Sequence, residues 1–221
     1  MSAPDLSHVD VWLFDLDHTL YPPECGLVAL VEARMNAYIQ RELGLSEAEA
    51  LALRDRYFHE HGATLAGLVH HHDIDPGPYV DEVHEVAMDC LTPDPELRAA
   101  LQRLPGRRLV FTNAGGAYAL RALEKLEIAD LFDDVFHLAL ADFIPKPQRA
   151  SFEKMLAHHG VDPAIACFFE DSERNLAPAA DLGMTTVLVG ANALESRAAF
   201  VHHRTQTLPP FLAGVRVKEG L

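Results

Sequence analysis

Val9-Asp10-Val11-Trp12-Leu13-Phe14-Asp15-Leu16-Asp17 (residues 9–17) sets the frame for the rest of the chain. Val11 to Phe14 is a continuous apolar run that ends at a carboxylate. Such a run fits a strand buried on both faces of a parallel sheet. The chain then turns at Tyr21-Pro22-Pro23, where proline ends regular structure.

Downstream, helix and strand patterns alternate after Pro93 and Pro95. Leu97 to Leu104 reads as a helix, Arg108 to Thr112 as a strand and Ala117 to Leu126 as a helix. Val135 to Leu138 reads as a strand and Gln148 to His158 as a helix. Ala166 to Phe169 is a second buried run that ends at Glu170-Asp171. A helix over 173–182 and a strand over Thr185 to Val189 follow. Repeated strand–helix units predict a parallel sheet with helices on both faces.

Residues 25 to about 90 carry no strand-like run. Leu27, Leu30, Val31, Met35, Tyr38, Ile39 and Leu43 recur at helical spacing, with Gly44 as C-cap. Ser46 and Glu49 form a capping-box start for a second helix running through Tyr57. Further helices are expected over 62–71 and 76–90. This segment reads as a separate helical insert.

The chain has 221 residues, 49% hydrophobic and 23% charged, which predicts a packed core rather than disorder. The net charge of −15 argues against a nucleic-acid polymer as partner. It leaves room for a small phosphorylated ligand, because a metal ion and one lysine make a positive pocket in an acidic protein. No apolar run approaches the ~20 residues of a membrane span. The polar start carries no leader pattern, and the three cysteines form no C-x-x-C pair. A cytoplasmic protein is the resulting expectation.

Ligands of open α/β sheets bind outside the carboxyl ends of the strands. The first strand ends at Asp15, the second at Thr112-Asn113 and the fourth at Glu170-Asp171. If those strands are neighbours, these residues share one crevice. Asp15 and Asp17 repel when both are ionised, and Asp171 adds a third carboxylate. A hard divalent ion such as Mg2+ relieves that repulsion. Lys146, held between Pro145 and Pro147, is presented rigidly enough to pair with an anion. Thr112 to Gly116 opens a helix whose hydroxyl and free N–H groups suit a phosphate.

Together these segments resemble the haloacid dehalogenase-like superfamily of phosphohydrolases. Asp15-Leu16-Asp17-His18-Thr19 resembles its D-x-D-x-T loop, Thr112 its second motif, Lys146 its third and Glu170-Asp171 its acidic fourth. The resemblance spans roughly residues 9 to 190. It implies a Rossmann-like three-layer α/β core, residues 1–22 and 92–221, with a small all-helical cap, residues 23–91, inserted after the first strand. It also implies Asp15 as nucleophile and Asp17 as general acid and base. Thr112 would bind the phosphoryl group, and Lys146 would orient Asp15. Mg2+ would be held by Asp15, the backbone carbonyl of Asp17, and Asp171. Thr19 would fix the loop, and Glu170 would support the site from behind. Asn175 stands where many relatives have Asp, so it would hold a metal-bound water without adding charge.

Asp17-His18-Thr19-Leu20-Tyr21, together with Tyr57 and Gly62-Ala63-Thr64-Leu65-Ala66-Gly67-Leu68, resembles the pyrimidine 5′-nucleotidase subgroup. This implies a nucleoside monophosphate substrate such as UMP or CMP, with Asn113, His18, Thr64 and Tyr57 as substrate contacts. Phosphoglycolate, a sugar phosphate and a phosphomutase reaction are the alternatives. A haloacid dehalogenase needs neither Asp17 nor magnesium, and a non-catalytic binding protein would not need the intact motifs. His70-His71-His72 reads as a solvated helix end, since consecutive helical residues point about 100° apart.

Overall fold

The computed structural model describes residues 3–218. Its centre is one six-stranded sheet with every pair parallel. The strands are β1 (Val11–Phe14), β2 (Arg107–Phe111), β3 (Asp134–Phe136), β4 (Ala166–Glu170), β5 (Thr185–Val189) and β6 (His203–Thr205). Their spatial order is β3-β2-β1-β4-β5-β6. The order reverses between β1 and β4, which is where such sheets form a crevice. Phe14 lies opposite both Val110 and Phe169, so the chain leaves β1, β2 and β4 at nearly the same level.

All four residues of β1 are buried, as a strand covered on both faces must be. Trp12 and Phe14 join one apolar cluster with Val110, Cys167 and Phe169. Val11 and Leu13 join a second with Leu109, Phe111 and Phe168. The period of two along each strand thus divides the core into two layers. Helices α5 (Pro95–Gln102), α6 (Gly116–Lys125) and α9 (Leu208–Gly214) cover the first layer. Helices α7 (Arg149–His159) and α8 (Glu173–Asp181) cover the second. The result is the parallel sheet with helices on both faces expected from the alternation, in the three-layer, Rossmann-like form that the resemblance implied. At the edge of β1, Gly106 has φ +77°, and a Cβ there would lie 2.2 Å from the Asp10 carbonyl oxygen. Only glycine fits that approach.

Between β1 and α5 lie α1 (Leu27–Leu43), α2 (Glu47–His61), α3 (Thr64–His72) and α4 (Pro76–Val83). Gly44 ends α1 in the left-handed conformation, and Ser46 and Glu49 form the anticipated reciprocal cap. Helix α4 stops at Val83, short of the expected 90. His84 Nδ1 donates to the Val80 carbonyl at 2.8 Å, and Arg121 donates to the His84 carbonyl at 2.7 Å. These side chains satisfy the terminal carbonyls and let the helix end. The insert meets the core at Gly115, where an added Cβ would be 2.9 Å from Val80 Cγ1.

β6 and α9 were not legible in the sequence. His203-Arg204-Thr205 is a short edge strand without an apolar run, ordered by pairing with β5. Among the described residues, no helix is long and apolar enough to cross a membrane.

Candidate active site

The strand-end residues converge. Asp15, Asp17, His18, Thr112, Asn113, Lys146, Glu170, Asp171 and Asn175 all line one cavity of about 470 Å³ between the sheet and the insert. Asp15 follows β1 directly, and its N–H donates to the Phe169 carbonyl at 2.9 Å, which locks it to β4. Beyond it, His18 takes φ +62°. A left-handed non-glycine residue is strained, and such strain concentrates at functional loops. It folds the chain back so that Leu20 N–H donates to the Leu16 carbonyl at 3.0 Å.

Lys146 is 1% exposed. Its Nζ donates to Asp15 Oδ1 at 2.7 Å, Glu170 Oε2 at 2.7 Å and the Phe111 carbonyl at 2.8 Å. An ammonium has three N–H donors, so none is left over. Lys146 therefore acts on Asp15 and Glu170. The Phe111 and Phe168 rings add cation–π contacts at 5.0 and 5.1 Å. Glu170 is equally engaged, because its Oε1 accepts from Ser172 N–H at 3.1 Å.

Burial pushes the Asp15 carboxyl up, the neighbouring Glu170 pushes it further, and Lys146 opposes both. Burial likewise raises Glu170, again against Lys146. Asp171 is held low: burial opposes this, but contacts with His18 and Glu170 outweigh it. His18 Nδ1 lies 3.6 Å from Asp171 Oδ2, and that contact raises the His18 pKa. Carboxylate oxygens of Asp15, Glu170 and Asp171 lie within 4.8 Å of one another. Nearby, Asn175 Oδ1 is buried without a hydrogen-bond partner among the described residues. An all-oxygen donor set in excess negative charge fits a hard cation such as Mg2+.

Thr112 is buried, and its Oγ1 accepts from Ala114 N–H at 3.0 Å, which leaves its own proton uncommitted. Asn113 lines the cavity, but its amide braces the Lys146 backbone. Its Nδ2 donates to the Lys146 carbonyl at 3.1 Å, and its Oδ1 accepts from Lys146 N–H at 2.8 Å. Thr64 also lines the cavity, with its hydroxyl donating to the Arg54 carbonyl at 3.2 Å. The Thr19 hydroxyl, expected to fix the loop, is buried without a partner among the described residues.

Tyr57, expected as a substrate contact, is not among the residues lining the cavity. It is core of the insert. A Cβ on Gly67 would lie 2.3 Å from Tyr57 Cγ, so α3 crosses α2 on the face of this ring. Its hydroxyl is 2.8 Å from His72 Nε2, and its ring stacks on His71. His70, His71 and His72 form the exposed last turn of α3.

Three residues around the cavity carried no assigned role in the sequence. Arg174 donates from Nη2 to the Gly62 carbonyl at 2.9 Å, with its guanidinium 4.0 Å from the Phe58 ring centre. It ties α8 to the insert. Tyr21 and Tyr118 hydroxyls both donate to Asp17 Oδ1. Tyr21 closed the Asp17–Tyr21 stretch of the subgroup resemblance, whereas nothing local marked Arg174 or Tyr118.

A family model described as haloacid dehalogenase-like hydrolase matches residues 9–183. The chain belongs to the haloacid dehalogenase-like hydrolases. It is 31% identical over 195 residues to Phosphate metabolism protein 8 of Saccharomyces cerevisiae, a match covering 80% of this chain. The chain spans 60% of that relative's length. Among solved structures, it is similar to a HAD phosphatase from Thermococcus onnurineus, with 22% identity and a TM-score of 0.60. That match covers 95% of this chain and 100% of the other. It is also similar to a 2-haloacid dehalogenase from Pseudomonas syringae pv. Tomato DC3000, with 21% identity and a TM-score of 0.56. Here the match covers 93% of this chain and 98% of the other. At these identities the two structures establish the fold of this hydrolase, and its reaction must be read from its own side chains.

Proposed function

We propose that this hydrolase is a magnesium-dependent phosphomonoesterase that works through an aspartyl-phosphate on Asp15. The observation that carries the reading is Asp17, which lines the same cavity as Asp15 and Asp171. A leaving alkoxide needs a proton donor, whereas a leaving halide needs neither a donor nor a cation.

Asp15 attacks phosphorus, and Asp17 protonates the departing oxygen. Asp17 then takes a proton from the water that cleaves the aspartyl-phosphate, in the role reversal that general acid–base catalysis requires. The uncommitted Thr112 hydroxyl binds a phosphoryl oxygen. Lys146 holds Asp15 Oδ1 in place, and Glu170 holds Lys146. Asp15, Asp171 and the Asp17 carbonyl would hold Mg2+, which offsets the repulsion between carboxylate and phosphate. Asn175 would accept from a water on that ion.

The insert, residues 23–91, acts as a cap that selects the leaving group. A cavity of about 470 Å³ is within the range that takes a drug-sized metabolite. Its lining also includes apolar Val31, Met35 and Phe58 and polar Arg54, Asp55 and His18. A base with hydrogen-bonding edges suits that mixture. Pyrimidine nucleoside 5′-monophosphates are therefore the proposed substrates, with UMP and CMP first. The yeast relative's name, which refers to phosphate metabolism, agrees with a phosphorylated substrate.

The test is a panel of UMP, CMP, AMP, phosphoglycolate and sugar phosphates, with and without Mg2+. Pyrimidine nucleotides should be preferred, and Asp15→Asn should abolish turnover while the circular dichroism spectrum stays unchanged. Wild-type activity in that variant would sink the mechanism.

A further inference from the structure

The proposed reaction gives Asp17 the proton but assigns nothing to the groups that hold it. Tyr21 and Tyr118 are 3% and 2% exposed. Both donate to Asp17 Oδ1, Tyr118 at 2.7 Å, and their hydroxyl oxygens lie 3.1 Å apart. Oδ2 has no hydrogen bond among the described residues, while Asp17 lines the cavity. A carboxylate oxygen that accepts two O–H donors has both lone pairs engaged and cannot also carry a proton. A phenol hydroxyl carries one proton to donate, and each here directs it to Asp17. Tyr118 also packs on His84, just past α4, with ring centres 4.7 Å apart. The pair is therefore fixed from both the core and the insert.

We propose that Tyr21 and Tyr118 are positioning residues that pin Asp17 Oδ1 and so confine its transferable proton to Oδ2. This inference rests on the phosphohydrolase reading above. In the first half-reaction the Asp15 O–P bond forms and the ester P–O bond breaks. The Oδ2 proton then moves to the departing oxygen. In the second, the water oxygen bonds phosphorus and the Asp15 O–P bond breaks. Oδ2 takes the proton that water releases, which restores Asp17. The phenols gain and lose no protons in either half.

The test compares Tyr21→Phe, Tyr118→Phe and the double variant at one pH in Mg2+. Two esters are used: UMP, with a basic alkoxide leaving group, and p-nitrophenyl phosphate, whose leaving group departs without a proton. Removing the pin should cost kcat/KM for UMP on the order of 10–100-fold, part of the 10²–10⁴ that general acid catalysis supplies. The loss for p-nitrophenyl phosphate should stay below about threefold, and KM for UMP should change little, because the loss belongs to proton transfer. Asp17→Asn should show the same selectivity, and adding Tyr118→Phe to it should cost nothing more. Equal losses on both esters, an additive loss on top of Asp17→Asn, or unchanged UMP turnover in the double variant would overturn the inference. A wild-type protein that hydrolyses neither UMP nor any other ester of the panel fails one step earlier. That outcome refutes the phosphohydrolase reading, and this inference with it.

Discussion

Replacing Lys146 by methionine removes the ammonium that two buried carboxylates share, while keeping the length of the side chain. Lys146 and Glu170 are each 1% exposed and Asp15 is 6% exposed. The loss strands Asp15 Oδ1, Glu170 Oε2 and the Phe111 carbonyl together. Removing one partner of a buried ion pair costs roughly 3–5 kcal/mol, because the remaining charge stays desolvated. At roughly 2–4 °C per kcal/mol for a chain of this size, the melting temperature should fall by about 6–20 °C. The deficit should depend on pH. Burial holds the Glu170 carboxyl up at about 7, against an ordinary 4.5. A carboxyl raised in the folded state contributes stability that is present below its unfolded pKa and lost as pH rises through its folded one. Without the opposing ammonium, both carboxyls are pushed higher still, so acidification favours the variant more than the wild type. Thermal unfolding followed by circular dichroism in chelator, at pH 7.5 and 5.5, measures this. A fall of less than about 2 °C at pH 7.5, or a deficit that does not shrink at pH 5.5, would refute the reasoning.

Chelation should abolish phosphatase activity and added Mg2+ should restore it, while Asp171→Asn should raise the Mg2+ concentration for half-maximal rate at least about tenfold. Activity that persists in excess chelator would remove the ion from the reaction. Tyr57→Phe should leave KM for UMP unchanged and cost about 1 kcal/mol of stability through the lost contact with His72. Gly67→Ala should cost about 1–3 kcal/mol by driving a methyl into the Tyr57 ring. Denaturant unfolding and steady-state kinetics separate these two outcomes, and a raised KM in Tyr57→Phe would return that residue to the site. Arg174→Ala should raise KM several-fold with a smaller effect on kcat, since it frees the insert from α8; an unchanged KM would deny it that role.

The layered core was legible because burial on both faces leaves a compositional mark. VWLF and ACFF cannot be stable exposed, and each ends where the chain meets a carboxylate. The insert was legible through its caps, Gly44 and the Ser46–Glu49 pair, which are local in sequence. β6 was not, because a three-residue edge strand owes its order to β5 rather than to its own residues. The early end of α4 was hidden for a related reason: the groups that close it include Arg121, which lies 37 residues beyond the carbonyl it caps.

The same division runs through the site. Asp15, Thr112 and Asp171 stand at or just past strand ends, so the parallel register brings them together once β2 and β4 flank β1. Residue type and position suffice to find them. What each polar group has left to offer depends on contacts that sequence spacing does not encode. Lys146 has the right charge for a phosphate, yet its three protons are already engaged. Asn113 has the right polarity for a substrate, yet its amide is turned to the Lys146 backbone 33 residues away. Asp17 shows the consequence most sharply. A carboxylate two residues past Asp15 is readable as an acid, but its Oδ1 is engaged by the hydroxyls of Tyr21, four residues on, and of Tyr118, 101 residues along the chain.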